Sequence, residues 1–146
     1  MAKIHVSDSG FSAEVSYSST VQGGTTGTQP TFNGTPLFDA SYAVSGNIVH
    51  FRIKVLMTNI TSFGTGQYYM TLPYNVKYDY YFRGGHLEDA STGDRYSISA
   101  NVTAGSNIIY LTATASNGKE VSFTSSVPVN LATADNFHIY GEFIRA

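Results

Sequence analysis

The sequence contains no cysteine and no tryptophan, and only 12% of its 146 residues are charged. Without cysteine there is no disulfide framework, no thiolate metal site and no cysteine nucleophile. The formal net charge of −2 lacks the basic excess that electrostatic nucleic-acid binders carry, so no nucleic-acid partner is expected. Every apolar run falls far short of the roughly 18 residues that a spanning helix needs, so no membrane insertion is expected. Met1-Ala-Lys-Ile-His-Val6 reaches Asp8 with no long apolar run, which does not fit a secretory signal. The length suits one domain with a core of ordinary size.

Ser, Thr, Gly, Asn and Tyr fill the space that charge leaves, the charged share being roughly half the usual one. Disorder requires few aromatics and a high net charge, and here 14% of residues are aromatic. Residues that tolerate a pleated, half-exposed surface point to an all-β protein. A surface so poor in charge fits a chain that covers itself with copies or partners, and equally a plain polar β-sandwich.

Residues 1–36 read differently from the remainder. Ala13, Val15 and Tyr17 alternate with Glu14 and Ser16 as one short strand, and the Gly/Thr-rich stretch Val21 to Pro30 reads as a linker or extended arm. The clearest strand is Ile48 to Met57, where Val49, Phe51, Ile53, Val55 and Met57 share one face and His50, Arg52 and Lys54 the other. Ser45-Gly46-Asn47 before it suits a hairpin turn. Strands are also expected at Gln67–Leu72 and at Tyr78, Tyr80 and Phe82, the latter stopped by Gly84-Gly85. Further strands carry Tyr96 to Val102, Ile108 to Ala115, Val121 to Phe123, and Phe137, Ile139 and Phe143. That makes about eight strands with turns every 8 to 12 residues and no period of 3.6, the pattern of an antiparallel β-sandwich or jelly roll. Phe51, Ile53, Val55, Phe137, Ile139 and Phe143 are the expected core.

The chemistry is sparse. No two of the four histidines stand at metal-ligand spacing in the sequence, and a structural or interface hydrogen bond is the reading for His50 and His138, which sit mid-strand opposite the main apolar residues. Glu88, Asp89 and Asp94 collect three carboxylates in one loop region without calcium-loop spacing. No Gly-x-Ser-x-Gly elbow and no assignable carboxylate pair is present, so no catalytic residue, no metal ligand and no cofactor is expected. The aromatic cluster Tyr68, Tyr69, Tyr74, Tyr78, Tyr80 and Tyr81 says more. Aromatics at both parities of a strand line both faces of a sheet: one is core, the other meets something outside. Tyrosine, with an apolar body and a polar tip, suits subunit interfaces and sugar-stacking surfaces. Those six tyrosines, with His86 and His138, are the candidate interface or ligand-facing residues.

Phe63-Gly-Thr-Gly-Gln-Tyr-Tyr-Met-Thr-Leu-Pro-Tyr74 is followed by Tyr81-Phe-Arg-Gly-Gly-His-Leu-Glu-Asp-Ala-Ser-Thr-Gly93. Tyr96-Ser-Ile-Ser-Ala100, Val127-Pro-Val129 and Thr133-Ala-Asp-Asn-Phe-His-Ile-Tyr140 continue the series. In this order the motifs resemble the C-terminal domain of minor tail and tail-fibre (virion appendage) proteins from phages of actinobacteria, over residues 38–146. The resemblance implies a jelly roll similar to the trimeric modules of tumour necrosis factor and complement, and carries no active site with it. The expected organisation is an arm, residues 1–36, attaching to other virion proteins, and a trimer-forming jelly-roll domain, residues 37–146. The expected function is that of a structural virion protein on the phage tail or capsid surface, made in the host cytoplasm, whose exposed loops meet host cell-wall glycan. A capsid decoration protein is the second expectation, and an enzyme degrading envelope polysaccharide the third.

Overall fold

A computed structural model describes residues 10–23 and 27–146. Eleven strands and no helix are found among them, as the sequence pattern leads one to expect of an antiparallel β-sandwich or jelly roll. In chain order they are β1 (Val15–Ser16), β2 (Thr31–Phe32), β3 (Leu37–Ser45), β4 (Ile48–Leu56), β5 (Ile60–Ser62), β6 (Tyr69–Thr71), β7 (Tyr80–Glu88), β8 (Arg95–Val102), β9 (Ile108–Thr114), β10 (Glu120–Ser122) and β11 (Asn136–Ile144). One sheet runs β1-β3-β4-β11-β7-β8-β9-β10, with β6 paired to β9 beside β10, and β2 pairs with β5 apart from it.

The β3–β4 hairpin turns at Gly46-Asn47 with Ser45 opposite Ile48. Gly46 alone of the turn pair has positive φ, 57°, which suits the two-residue turn with glycine first. Strict alternation in β4 then buries Val49, Phe51, Ile53 and Val55 against Phe137, Ile139 and Phe143 of β11, and each such side chain contributes roughly 1.5–3 kcal/mol. All six expected core residues are buried. Phe123, just past β10, meets Phe137 of β11 edge-on at 5.3 Å. The sheet therefore curls back on itself and encloses its core between two layers.

Two expectations are corrected. Gly84-Gly85 does not stop a strand: β7 continues through both to Glu88, with a register shift between Phe82 and Gly85. A Cβ on Gly85 would lie 2.4 Å from Ile139 Cδ1 and 2.8 Å from the His138 carbonyl oxygen, so this glycine marks a bulge where β11 crosses close by. Nor is the described part of residues 1–36 a detached arm. Val15–Ser16 pairs with β3, Tyr17 N donates to Ala40 O, and Ser19 and Val21 are buried. Gln22 forms a bridge with Tyr69 at the opposite edge of the sheet. The segment from Val15 to Gln22 thus ties the two edges together, and a boundary at residue 36 does not correspond to a break in packing. Residues 1–9 and 24–26 of the expected arm lie outside the described residues.

Candidate functional surface

The pleat decides which candidates reach solvent. Tyr68 does not: it is fully buried, its ring meets Phe123 edge-on at 5.3 Å, and its hydroxyl donates to Phe63 O at 2.6 Å. Burial pushes its phenol well above the ordinary tyrosine range. As an interface residue Tyr68 is corrected; alternation makes it the core neighbour of Tyr69. Tyr80 is also committed to the fold, stacked on Phe82 at 5.8 Å with its hydroxyl accepting from Ile144 N. Tyr74 lies between Tyr42, at 5.4 Å, and the Arg145 guanidinium, at 5.0 Å. Tyr78 is 52% exposed beside Lys77.

Tyr69 and Tyr81 join a pattern that only the strand pairing creates. Tyr81 of β7 is the register partner of Asn101 on β8, Asn101 partners Tyr110 on β9, and Tyr110 partners Tyr69 on β6. The four side chains form one row across the outer face. Tyr81 is 40% and Tyr110 37% exposed, the Tyr69 and Tyr110 rings sit 6.0 Å apart, and the Arg83 guanidinium covers one side of the Tyr81 ring at 4.6 Å. Beside the row a shallow groove of about 310 Å³ is bordered by Asp79, Tyr81, Asn101 and Thr103. Sequence reading missed Tyr110 and Asn101; Tyr110, standing between buried Ile109 and Leu111, was the available signal.

Charge is divided unevenly over this outer face. Over β8, β9 and β6 the outward residues Ser97, Ser99, Asn101, Tyr110, Thr112 and Tyr69 are neutral, while charge enters at the margins: Arg95 at the start of β8 pairs with Glu88, Glu120 of β10 accepts from Thr112 Oγ1, and Arg83 lies over Tyr81. Over β3, β4 and β11 the face holds Asp39, His50, Arg52, Lys54 and Glu142. There Arg52 bonds Glu14 at 2.8 Å and Asp39 at 3.1 Å, and His50 pairs with Glu142. A groove of about 360 Å³ is bordered by Glu14, Ser41, His50 and Arg52; Glu14 accepts from Ser41 and Arg52, and His50 is engaged by Glu142. Hydrogen bonds from Ser41 and Arg52 hold the Glu14 carboxyl below its ordinary range.

His86 and His138, distant in sequence, are register partners on β7 and β11, with rings stacked at 4.8 Å. Partial burial, then the neighbouring His86 and Lys54, lowers the pKa of His138 despite the opposing carboxylate of Glu88. The three loop acids do not converge. Glu88 faces Arg95 at 3.4 Å, and Asp94 is exposed. Asp89 accepts from Ser91 N and Oγ within its own turn, which holds its pKa below the ordinary value. Among the described residues no three His, Cys, Asp or Glu side chains are placed to hold a metal ion. Buried Asp135 anchors the same region, accepting from Ala90 N at 2.9 Å and Ala132 N at 2.7 Å.

Compared with known proteins, the chain matches no protein-family model, no curated protein and no solved structure.

Proposed function

We propose that this protein is a non-enzymatic structural component of a phage virion, a trimeric β-sandwich of the tail-appendage kind that contributes to adhesion on host cell-wall glycan. The observation that carries the reading is the outer face of β7, β8, β9 and β6, where the exposed Tyr81 and Tyr110 stand among Ser, Thr and Asn side chains. Such a face offers apolar ring surface together with hydroxyl and amide hydrogen bonds, the combination that suits sugar rings and subunit contacts. The ordered motifs of residues 38–146, similar to those of actinobacteriophage tail proteins, support the virion setting. Three weak sites on one rigid trimer multiply avidity without any new contact.

Antibody labelling of purified virions tests the setting: label at the tail is expected, label over the head establishes the decoration alternative, and unlabelled virions overturn both. Light scattering of the full chain tests the assembly, and a monomer at micromolar concentration overturns the trimer.

A further inference from the structure

We propose that Asn33 is a site of spontaneous modification, in which the main-chain nitrogen of Gly34 attacks its side-chain amide, and that the Asn59 side chain is the brake on this reaction.

The chain has two Asn-Gly pairs, Asn33-Gly34 and Asn117-Gly118. Glycine in second place suits the reaction, because no Cβ stands beside the attacking nitrogen and the backbone turns freely. Both glycines have positive φ, 85° at Gly34 and 78° at Gly118, and both have open space where a Cβ would stand. By sequence and by local shape the pairs are alike. Their hydrogen bonds separate them.

At Asn117 the attacking nitrogen is engaged. Gly118 N donates to Ala115 O at 2.8 Å, and Ala115 N donates to Lys119 O at 2.8 Å, closing the β9–β10 hairpin. The nitrogen must give up its proton and the turn must open before a ring can close, so both bonds oppose the reaction. Asn33, Gly34 and Thr35 are exposed. Gly34 N and the Asn33 side chain have no hydrogen-bond partner among the described residues.

What restrains Asn33 is its main chain. Asn33 N donates to Asn59 O at 2.8 Å. Asn59 Nδ2 donates to Asn33 O at 3.4 Å and also to Thr35 O, so one amide holds the carbonyls of the residues on either side of Gly34. Asn59 Oδ1 is buried without a partner among the described residues, which leaves this clamp as the work of the side chain. Ring closure turns the Asn33 main chain, and the clamp resists it.

Water is the one reagent required. Gly34 N yields its proton to solvent and bonds to Asn33 Cγ; the Cγ–Nδ2 bond breaks, and Nδ2 takes up a proton and leaves as ammonia. Water then opens the cyclic imide. Breaking the new bond from Gly34 N to Cγ gives aspartate at position 33. Breaking the bond from Gly34 N to the main-chain carbonyl carbon gives isoaspartate, with an added carbon in the main chain. Nothing is oxidised or reduced. Either product adds a negative charge, and isoaspartate displaces the carbonyls that Asn59 holds where β2 gives way to β3.

The test incubates the full chain at mildly alkaline pH for weeks and follows both sites in each sample by peptide mass spectrometry. Conversion at Asn33 is expected roughly 10-fold faster than at Asn117, with isoaspartate among the products. Equal rates, a faster Asn117 or no conversion overturns the choice of Asn33, and aspartate alone overturns the imide route. Asn59→Ala, its folding verified by circular dichroism, should speed Asn33 roughly 2- to 10-fold and leave Asn117 unchanged. An unchanged Asn33 rate, or an equal rise at both sites, overturns the brake. Unfolding the unaltered chain in urea tests the brake without a variant: both rates should rise and converge, and an Asn33 no faster unfolded than folded overturns it.

Discussion

His138 stacks on His86 at 4.8 Å with their planes 14° apart, although 51 intervening positions separate them in the chain. Antiparallel pairing of β11 with β7 places them directly opposite each other. Two imidazoles so placed can share the site while neutral; protonating both sets like charges against each other, with Lys54 alongside.

Stability should therefore fall on mild acidification. His138 has a lowered pKa in the folded state, through burial, His86, Lys54 and Arg52, against Glu88, so the unfolded chain binds its proton more tightly. The contribution is fully present above the unfolded value of about 6.5 and is lost as pH falls below it toward the folded pKa. Urea midpoints measured from pH 8 to pH 5 should decline across that window, and His138→Gln should flatten this part of the decline. An unchanged slope in the variant rejects the assignment.

The two bulge glycines should respond unequally. At Gly85 a Cβ meets Ile139 Cδ1 at 2.4 Å, Ile98 Cγ1 at 2.8 Å and backbone at 2.8 Å, whereas at Gly84 its nearest neighbours are atoms of the exposed Tyr140 ring. Gly85→Ala is expected to cost about 1–3 kcal/mol by overpacking, and Gly84→Ala distinctly less, because the Tyr140 ring can swing into solvent. Denaturant unfolding of both variants gives the comparison directly.

Ser19 tests whether the N-terminal segment belongs to the fold. Its hydroxyl donates to Thr71 O at 2.8 Å and accepts from Thr71 N at 3.1 Å. Ser19→Ala leaves a partly buried amide without its partner, an expected loss of about 1–3 kcal/mol. Deleting residues 1–23 should lower the melting temperature far more, since Val21 leaves the core and the edge-to-edge tie is cut. A separable arm predicts no change in either variant.

Tyr68→Phe removes one buried hydroxyl and strands Phe63 O. Destabilisation by about 0.5–1.5 kcal/mol is expected, with binding of any surface ligand unaltered. Loss of ligand binding without loss of stability would return Tyr68 to the surface.

Local alternation made much of the architecture legible. In β4 the apolar residues at 49, 51, 53 and 55 and the polar ones at 50, 52 and 54 declare both faces without help from any partner strand. The turn at Gly46-Asn47 and the core residues of β11 were equally plain, because each is settled by a few neighbouring residues. Where two apolar-bodied residues adjoin, as at Tyr68-Tyr69, alternation says that one is inside but not which, and the choice falls to the packing of Phe123. Gly84-Gly85 looked like a stop because its true cause, the approach of Ile139 and Ile98, comes from other strands.

The sequence by itself determined the class of fold, the poverty of charge and the abundance of tyrosine, since composition and period-two patterning are properties of the chain alone. Only the tertiary structure decided that Tyr81, Asn101, Tyr110 and Tyr69 form a row, that His86 meets His138, and that the segment around Ser19 closes the sheet. Each of these depends on strand order and register. A register is settled jointly by two segments far apart in sequence, and a slip of one residue would send every one of these side chains to the other face.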